Sequence, residues 1–170
     1  MHNFQPVPAD YFEENPFKLI GKDWMLITAI KDHKVNTMTA SWGGLGVMWG
    51  KNVAYVVIRE SRYTKEFVDG SDTFSLSFFD ETYKPALKYL GAVSGRDEDK
   101  IANAKLKVQL HETTDTPFFD EANIVLVCKK MYAGSLDKEN FCLPQIEEQW
   151  YKDGDYHVLY IGEVVEIMAR

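Results

Sequence analysis

A short basic segment, RESRYTKEF, stands where a predicted strand gives way to a predicted helix. Its candidate ligand-binding side chains are Arg59, Ser61, Arg62, Tyr63 and Thr64. Free N–H groups and the positive end of the helix dipole favour an anion at such a junction, and guanidinium and hydroxyl groups add charge-assisted hydrogen bonds. The segment therefore predicts a site for a phosphate monoester. The alternative is that both arginines pair with Glu60, Glu66 or Asp69 on the surface.

A second candidate segment is the strand-like run VNTMTASW, in which Thr37, Thr39 and Ser41 share one face. The other face carries Met38, Ala40 and Trp42. Hydroxyls and main-chain amides along this strand would direct hydrogen bonds to a flat heteroaromatic ligand. A solvent-facing, threonine-rich strand is the alternative.

The segment SGRDEDK predicts a further helix start, because Ser94, Gly95 and Arg96 precede the acidic run 97–99. Acidic residues in that place are typical of N-terminal caps and dipole partners. The second interpretation is that Ser94 and Arg96 close the other side of an anion pocket.

The four histidines, at positions 2, 33, 111 and 157, form no HxxxH or HxxE group, so the sequence predicts no metal site. His157 opens the last predicted strand beside a GDY turn. It is either a structural residue or one whose titratable ring serves a redox ligand. A GxSxG elbow and a Cys/His pair are also missing from the sequence, which argues against a hydrolase.

The glycines of SWGGLGVMWG do not fit a dinucleotide-binding loop. A GxGxxG motif that began at Gly44 would need glycine at position 49, where Trp49 stands, and a strand follows instead of a helix. We therefore interpret this segment as a flexible turn between two strands.

Composition limits the class of protein. The chain has 170 residues, of which 45% are hydrophobic and 26% charged, with a formal net charge of −7. These values are typical of one folded domain, and the acidic charge argues against a nucleic-acid partner. The N-terminal sequence does not resemble a signal peptide, and no uncharged apolar run is long enough to span a membrane. We therefore expect a cytoplasmic protein without a membrane anchor.

The two cysteines, Cys128 and Cys142, are too far apart in sequence for a CxxC motif or a zinc knuckle. Two buried free thiols are the favoured interpretation, and a structural disulfide is the alternative.

The candidate residues need a framework of strands to position them. Runs rich in Val, Ile, Thr and aromatic residues predict strands at 23–30, 35–42, 52–60, 73–79, 123–132 and 156–169. Helical spacing predicts a helix at 82–91, capped by Thr82 and ended by Gly91, and shorter helices after Thr64 and Gly95. The expected fold is mainly β, an antiparallel barrel with inserted helices, in one domain over 1–170 whose first 14 residues are an extension.

Four segments, in this order, resemble the flavin reductase-like family and in particular its flavoredoxin-like branch. They are NTMTASWGGLGVMWGK, RESRYTKEF, DTFSLSFFDETYKPALKYLGAVSGRDEDK and GDYHVLYIGEV. The resemblance runs from about residue 15 to the end of the chain, and it implies an antiparallel split β-barrel, the FMN-binding split barrel.

The resemblance also implies a homodimer in which each barrel binds one FMN near the subunit interface. The residues that would line the isoalloxazine are Thr39, Ala40, Ser41 and Trp42. Those that would hold the phosphate and ribityl chain are Arg59, Ser61, Arg62, Tyr63 and Thr64, together with Ser94, Gly95 and Arg96. The segment that would pass the ring edge is Ser77, Phe78 and Phe79. His157 matches a histidine near the flavin and is the candidate catalytic residue.

The implied function is an FMN-dependent oxidoreductase that moves hydride or electrons between NADH or NADPH and flavin. The cofactor performs such chemistry, so the site needs binding groups more than a catalytic acid or base. The alternatives are a flavoredoxin-like carrier reduced by a protein partner, a non-catalytic FMN-binding module and a purely structural barrel. The segment LPQIEEQWYKDG has no assigned role, and one hypothesis is that its Trp150 crosses to the partner subunit.

Overall fold

The computed structural model describes residues 3–170, so Met1 and His2, the latter one of the four histidines, lie outside the described residues. Its strands are β1 Gln5–Pro6, β2 Met25–Lys31, β3 Lys34–Ala40, β4 Gly43–Met48, β5 Lys51–Arg59, β6 Thr73–Phe78, β7 Val108–Leu110, β8 Pro117–Phe119, β9 Ile124–Ser135 and β10 His157–Ala169. Its helices are α1 Pro16–Lys18, α2 Tyr63–Asp69, α3 Lys84–Ala92, α4 Lys100–Asn103 and α5 Pro144–Trp150. Short 3-10 helices cover Ala9–Tyr11, Glu81–Tyr83 and Lys138–Asn140, and a π-helical turn covers Leu19–Asp23.

One antiparallel sheet of eight strands forms the body of the molecule, in the order β3-β2-β6-β9-β10-β5-β4 with β1 added on β10. The 13-residue β10 pairs along its first half with β5 and at its last residues with β1. Its register with β9 shifts between Ile161 and Gly162 and again between Val164 and Glu166. Such bulges increase twist, which lets a long strand belong to a coiled sheet. β7 and β8 form a separate hairpin.

The sheet is buried on both faces around β2, as two successive residues of this strand show. Ile27 faces the interior cluster and lies opposite Leu76, whereas Leu26 belongs to a second cluster that contains Leu87 and Leu90 of α3. Successive side chains of a strand point to opposite faces, so α3 covers the face that the interior cluster leaves open. Each such leucine or isoleucine contributes roughly 1.5–3 kcal/mol to folding.

The structure corrects two predicted elements. The glycine-rich segment is not a flexible turn: Gly43–Met48 form β4, which pairs with β5, and the turn is confined to Trp49 and Gly50, both at positive φ. Thr82 does not cap α3, because Asp80 accepts the N–H of Thr82 at 2.8 Å at the start of the preceding 3-10 helix. The β7–β8 hairpin and α5 are additions that the sequence patterns do not predict.

The cysteines differ in environment. Both are free, but Cys128 is buried in the interior cluster whereas Cys142 is exposed, so the expectation of two buried thiols is wrong for Cys142. Burial raises the pKa of the Cys128 thiol far above its usual range. Within residues 3–170, no helix combines the length and apolarity that crossing a bilayer demands.

Candidate functional site

Strand pairing brings three distant segments to one corner of the molecule. His157 lies opposite Arg59 in the β10–β5 register, and the main-chain N–H of Glu60 donates to the carbonyl oxygen of Tyr156 at 3.1 Å. The segment that follows α3 reaches the same corner through Arg96, which donates to the carbonyl oxygen of Ser61 at 3.2 Å. We call this group the cationic corner, and its members are Arg59, Ser61, Arg62 and Arg96.

Arg59 donates to backbone rather than to a carboxylate. Its guanidinium contacts the carbonyl oxygens of Asp155 at 2.6 Å and Trp150 at 3.0 Å, and its carbon lies 5.3 Å from the ring centre of Tyr151. The alternative interpretation, surface pairing with Glu60, Glu66 or Asp69, is therefore not what holds this side chain.

Arg62 crosses to the end of α3, where it donates to the carbonyl oxygen of Gly91 at 3.1 Å. The buried Lys100 donates nearby, to the carbonyl oxygens of Leu90 at 2.9 Å and Val93 at 3.0 Å. Burial lowers the pKa of Lys100 to about 8, and the charge of Arg62 acts in the same direction. Two cations thus satisfy the carbonyl end of α3, which is the negative end of its dipole.

Arg96 is the one arginine of the corner that pairs with a carboxylate. It contacts Glu66 at 2.5 Å, and its guanidinium carbon lies 4.7 Å from the ring centre of Tyr63. Ser94 accepts the main-chain N–H of Arg96 at 3.1 Å. Gly95 leaves room for this turn, because a Cβ there would lie 2.2 Å from Asn36 Oδ1. The structure therefore brings 94–96 to the corner, and their role toward a ligand stays a prediction.

Two of the predicted phosphate residues differ in exposure, since Thr64 is buried and Tyr63 is half-buried. Thr64 is 1% exposed, and its hydroxyl accepts a hydrogen bond from Asn36 at 2.8 Å. The Tyr63 hydroxyl accepts from Lys34 at 3.2 Å, and the Tyr63 ring packs on Phe67. The Thr64 side chain is therefore buried beneath the corner, and its contact with a phosphate stays a prediction.

The predicted ring-binding strand borders an open cleft of about 350 Å³. Its lining residues are Trp24, Thr39, Ala40, Ser41, Leu87, Lys88, Gly91 and Ala92. The Thr39 hydroxyl donates to the carbonyl oxygen of Leu87 at 2.5 Å, and Thr37 is fully buried against Thr28, so this threonine row is not solvent-facing. Since Gly91 lines the cleft and also accepts from Arg62, the cleft and the cationic corner are neighbours.

Trp42, which follows Ser41 in the sequence, belongs to a cluster of aromatic side chains. Trp42 meets Trp150 edge to face at 4.8 Å between ring centres, and its ring centre lies 5.1 Å from that of His157. His157 Nδ1 is 2.7 Å from the Tyr151 hydroxyl. Burial lowers the pKa of His157 to about 4, Arg59 acts in the same direction, and the ring is therefore neutral at pH 7.

Trp150, Tyr151 and Asp155 are site residues that sequence reasoning misses. They belong to α5 and the turn after it, and the run of aromatics from 150 to 156 is the only local signal for them. Trp150 packs on Trp42 of its own chain. Asp155 contacts Ser61 through both carboxylate oxygens, at 3.1 Å to the main-chain nitrogen and 2.5 Å to the hydroxyl.

The segment Ser77, Phe78 and Phe79 is not brought to the cleft. Phe78 is 1% exposed in the interior cluster, and Phe79 lies in the second cluster against Tyr83 and Phe119. β6 is a central strand with both faces covered, so these rings lie in the core, and the passage of this segment past the edge of a flavin ring stays a prediction. The Ser77 hydroxyl is buried and has no hydrogen-bond partner within residues 3–170.

A larger cleft, of about 800 Å³, lies elsewhere, near the end of β10. His111 and Glu166 contact each other in its wall, and His111 Nδ1 lies 2.8 Å from the Thr114 hydroxyl. None of the residues predicted for flavin lines this cleft.

Comparison with known proteins supports the architecture. The family model for the flavin reductase like domain matches residues 18–170. The FMN-binding domain of a flavin reductases-like enzyme from Shewanella baltica superposes with a TM-score of 0.72 at 20% identity, over 99% of this chain and 78% of that one. No curated protein matches the chain.

Two further solved structures share this fold. Flavoredoxin of Desulfovibrio vulgaris superposes with a TM-score of 0.68 at 21% identity, over 86% of this chain and 69% of that one. The NADH:FAD oxidoreductase of Streptomyces globisporus gives 0.64 at 16% identity, over 87% and 75%. The predicted antiparallel split barrel with inserted helices is therefore confirmed.

Proposed function

The chain belongs to the flavin reductase-like domain family, and we propose that it is an FMN-binding oxidoreductase that moves hydride or electrons between NADH or NADPH and flavin. One observation carries the proposal. The cationic corner and the cleft of about 350 Å³ meet at Gly91, which lines the cleft and whose carbonyl oxygen accepts a hydrogen bond from Arg62 of the corner. A flat ring with a phosphate tail needs two such regions side by side.

The donors at the corner fit a phosphate group. A guanidinium has five N–H donors, of which Arg59 uses two and Arg62 one, all on backbone carbonyls. Neither positive charge is paired with a carboxylate in the part of the chain that the structure describes. Each charge-assisted bond to phosphate contributes roughly 1.5–3 kcal/mol when shielded from water.

The cleft fits the ring of such a ligand. Its volume lies in the lower part of the range for small-molecule sites, roughly 300–1,000 Å³, and Trp24 and Leu87 give it apolar walls. Thr39 already donates to α3. Ser41 follows the end of β3, so we expect its hydroxyl and main chain to bind the polar edge of the ring.

Bound FMN would supply a ring that accepts and releases hydride. The chain's own residues bind its tail, orient it and keep water away. Arg59 and Arg62 fix the tail, and Trp42 with Trp150 covers the side of the site next to His157. Water exclusion strengthens each electrostatic contact inside the site.

His157 contributes a neutral ring. Its Nδ1 and the Tyr151 hydroxyl share a hydrogen bond of 2.7 Å, and the tautomer of His157 decides which of the two donates. We propose that the Nε2–H tautomer is the one the protein uses, in which Tyr151 donates to Nδ1 and Nε2–H is the donor toward the flavin site.

We also propose a cytoplasmic homodimer as the working form. The end of the edge strand β4 exposes Val47 and Met48, and the turn after it exposes Trp49, whose ring centre lies 6.5 Å from that of Tyr132. Contiguous exposed apolar groups of this kind are typical of protein interfaces, and the two free thiols fit a reducing compartment. A protein that sediments as a monomer at micromolar concentration would contradict the dimer.

Anaerobic addition of NADH or NADPH to the FMN-loaded protein tests the proposed reaction. Prompt loss of the flavin's visible absorbance is expected. Loss only with dithionite or a reduced redox protein would favour the flavoredoxin-like carrier, and a flavin reduced at useful rates by neither route would favour a binding module. A protein that takes up no FMN would contradict the proposal as a whole.

A further inference from the structure

A carboxylate of this chain already occupies part of the cationic corner. Asp155 Oδ1 accepts the main-chain N–H of Ser61 at 3.1 Å, and Asp155 Oδ2 accepts the Ser61 hydroxyl at 2.5 Å. One residue thus binds both oxygens of an anionic group, as it would bind two oxygens of a phosphate. Ser61 is exposed and Asp155 half-buried, so a ligand can reach this contact.

The backbone on both sides holds Asp155 in this position. Arg59 donates to the carbonyl oxygen of Asp155 at 2.6 Å, and the N–H of Glu60 donates to the carbonyl oxygen of Tyr156 at 3.1 Å. The bond of Glu60 extends the β5–β10 pairing by one step past His157, and the Arg59 side chain adds a second hold on the Asp155 backbone. The strand register therefore presents the carboxylate to Ser61, and the two bonds to Ser61 are the side-chain contacts that a competing anion has to replace.

We propose that Asp155 is a specificity-determining residue that competes with the phosphate of a phosphorylated flavin for Ser61. The inference rests on the proposed function. Two anions cannot share the same N–H and hydroxyl donors, and their charges repel. Phosphate binding at Ser61 therefore requires the Asp155 carboxylate to leave, which lowers the affinity that Arg59 and Arg62 would otherwise give. Riboflavin has no phosphate, so its affinity is independent of this exchange.

The test compares FMN with riboflavin on three forms of the full chain, by titration of flavin fluorescence. Asp155→Asn removes the charge but keeps an acceptor for the Ser61 N–H. It should bind FMN about tenfold more tightly, which is about 1.4 kcal/mol, and riboflavin as the wild type does. Asp153→Asn is the matched control, because Asp153 carries the same charge in the same turn and is exposed. This control should leave both affinities near the wild-type values.

Three results would overturn the inference. The first is an unchanged FMN affinity in Asp155→Asn. The second is a weaker FMN affinity in Asp155→Asn, which would mean that Asp155 supports Ser61. The third is a gain in FMN affinity in Asp153→Asn equal to that in Asp155→Asn, which would reflect net charge alone. Asp155→Ser, a smaller neutral acceptor, gives the same comparison if the asparagine variant does not fold. If neither wild type nor variants bind FMN, the proposed function fails as well. If the wild type binds FMN and only the predicted gain is missing, the proposed function stands and this inference fails.

Discussion

The cleft beside the cationic corner and the larger cleft near the end of β10 present opposite patterns of hydrogen bonding. In the larger cleft, His111 binds Glu166 and Thr114, so its polar groups satisfy one another. At the corner, Arg59 and Arg62 donate to backbone carbonyls, and neither charge pairs with a carboxylate of residues 3–170. Free donors and unpaired charge therefore indicate that the ligand site is the cleft of about 350 Å³ beside the cationic corner. Volume alone would favour the cleft of about 800 Å³ near the end of β10.

The largest effect should come from removing an unpaired charge at the corner. Arg62→Ala should weaken FMN about 10- to 100-fold, since a lost charge-assisted bond costs roughly 1.5–3 kcal/mol, and riboflavin by much less. Lys65→Ala is the matched control, because Lys65 already pairs with Asp69 at 2.7 Å and Glu60 at 3.3 Å. Calorimetric titration measures both. Equal losses of affinity for FMN and riboflavin would show that Arg62 does not bind the phosphate.

A second prediction concerns pH and the free energy of unfolding. Burial lowers the pKa of His157 from 6.5 to about 4, and Arg59 and Arg62 add to this while Asp155 opposes it. Because the folded-state pKa is depressed, the contribution of His157 is complete above pH about 6.5 and is lost as the pH falls toward 4. The loss is about 2 kcal/mol once discounted for partial solvent screening.

Urea unfolding at pH 7.5 and pH 4.5 measures this contribution. His157→Gln should lose less stability between the two pH values than the wild type does, whereas His33→Asn, in an exposed turn at positive φ, should behave as the wild type. Parallel losses in wild type and His157→Gln would show that His157 does not titrate in this window.

The smallest effect is expected in the larger cleft. His111→Ala should lower the free energy of unfolding by about 1 kcal/mol, the usual contribution of a hydrogen bond, and should leave FMN affinity unchanged. Thermal unfolding and flavin titration of one preparation measure the two effects. A tenfold loss of FMN affinity in this variant would show that the flavin binds in the larger cleft, beside His111.

Local patterns predict most of the framework. Six observed strands begin and end within a residue or two of a predicted strand at nearly every boundary, because β-branched and aromatic residues are concentrated in them. They are β2, β3, β5, β6, β9 and β10. β4 escapes prediction because its glycines have no strand preference of their own, and pairing with β5 makes it a strand. The burial of Phe78 and Phe79 is not predictable in the same way, because it follows from the central place of β6 in the sheet, which the local sequence does not specify.

The candidate site is less predictable than the fold because its contacts are long-range. The basic run at 59–62 identifies the cationic corner from local sequence. The Asp155 carboxylate on Ser61 and the packing of Trp150 on Trp42 depend on the register of β10 against β5, which no local pattern specifies. The contacts that the turn before His157 makes with the cationic corner therefore become visible only in the folded structure.

A crystal structure of the FMN complex tests the central comparison most directly. The expected result is a phosphate within about 3 Å of a guanidinium nitrogen of Arg59 or Arg62, with the ring in the cleft beside Thr39 and Ser41. A phosphate bound in the cleft of His111, with both guanidinium groups still on backbone carbonyls alone, would contradict the account.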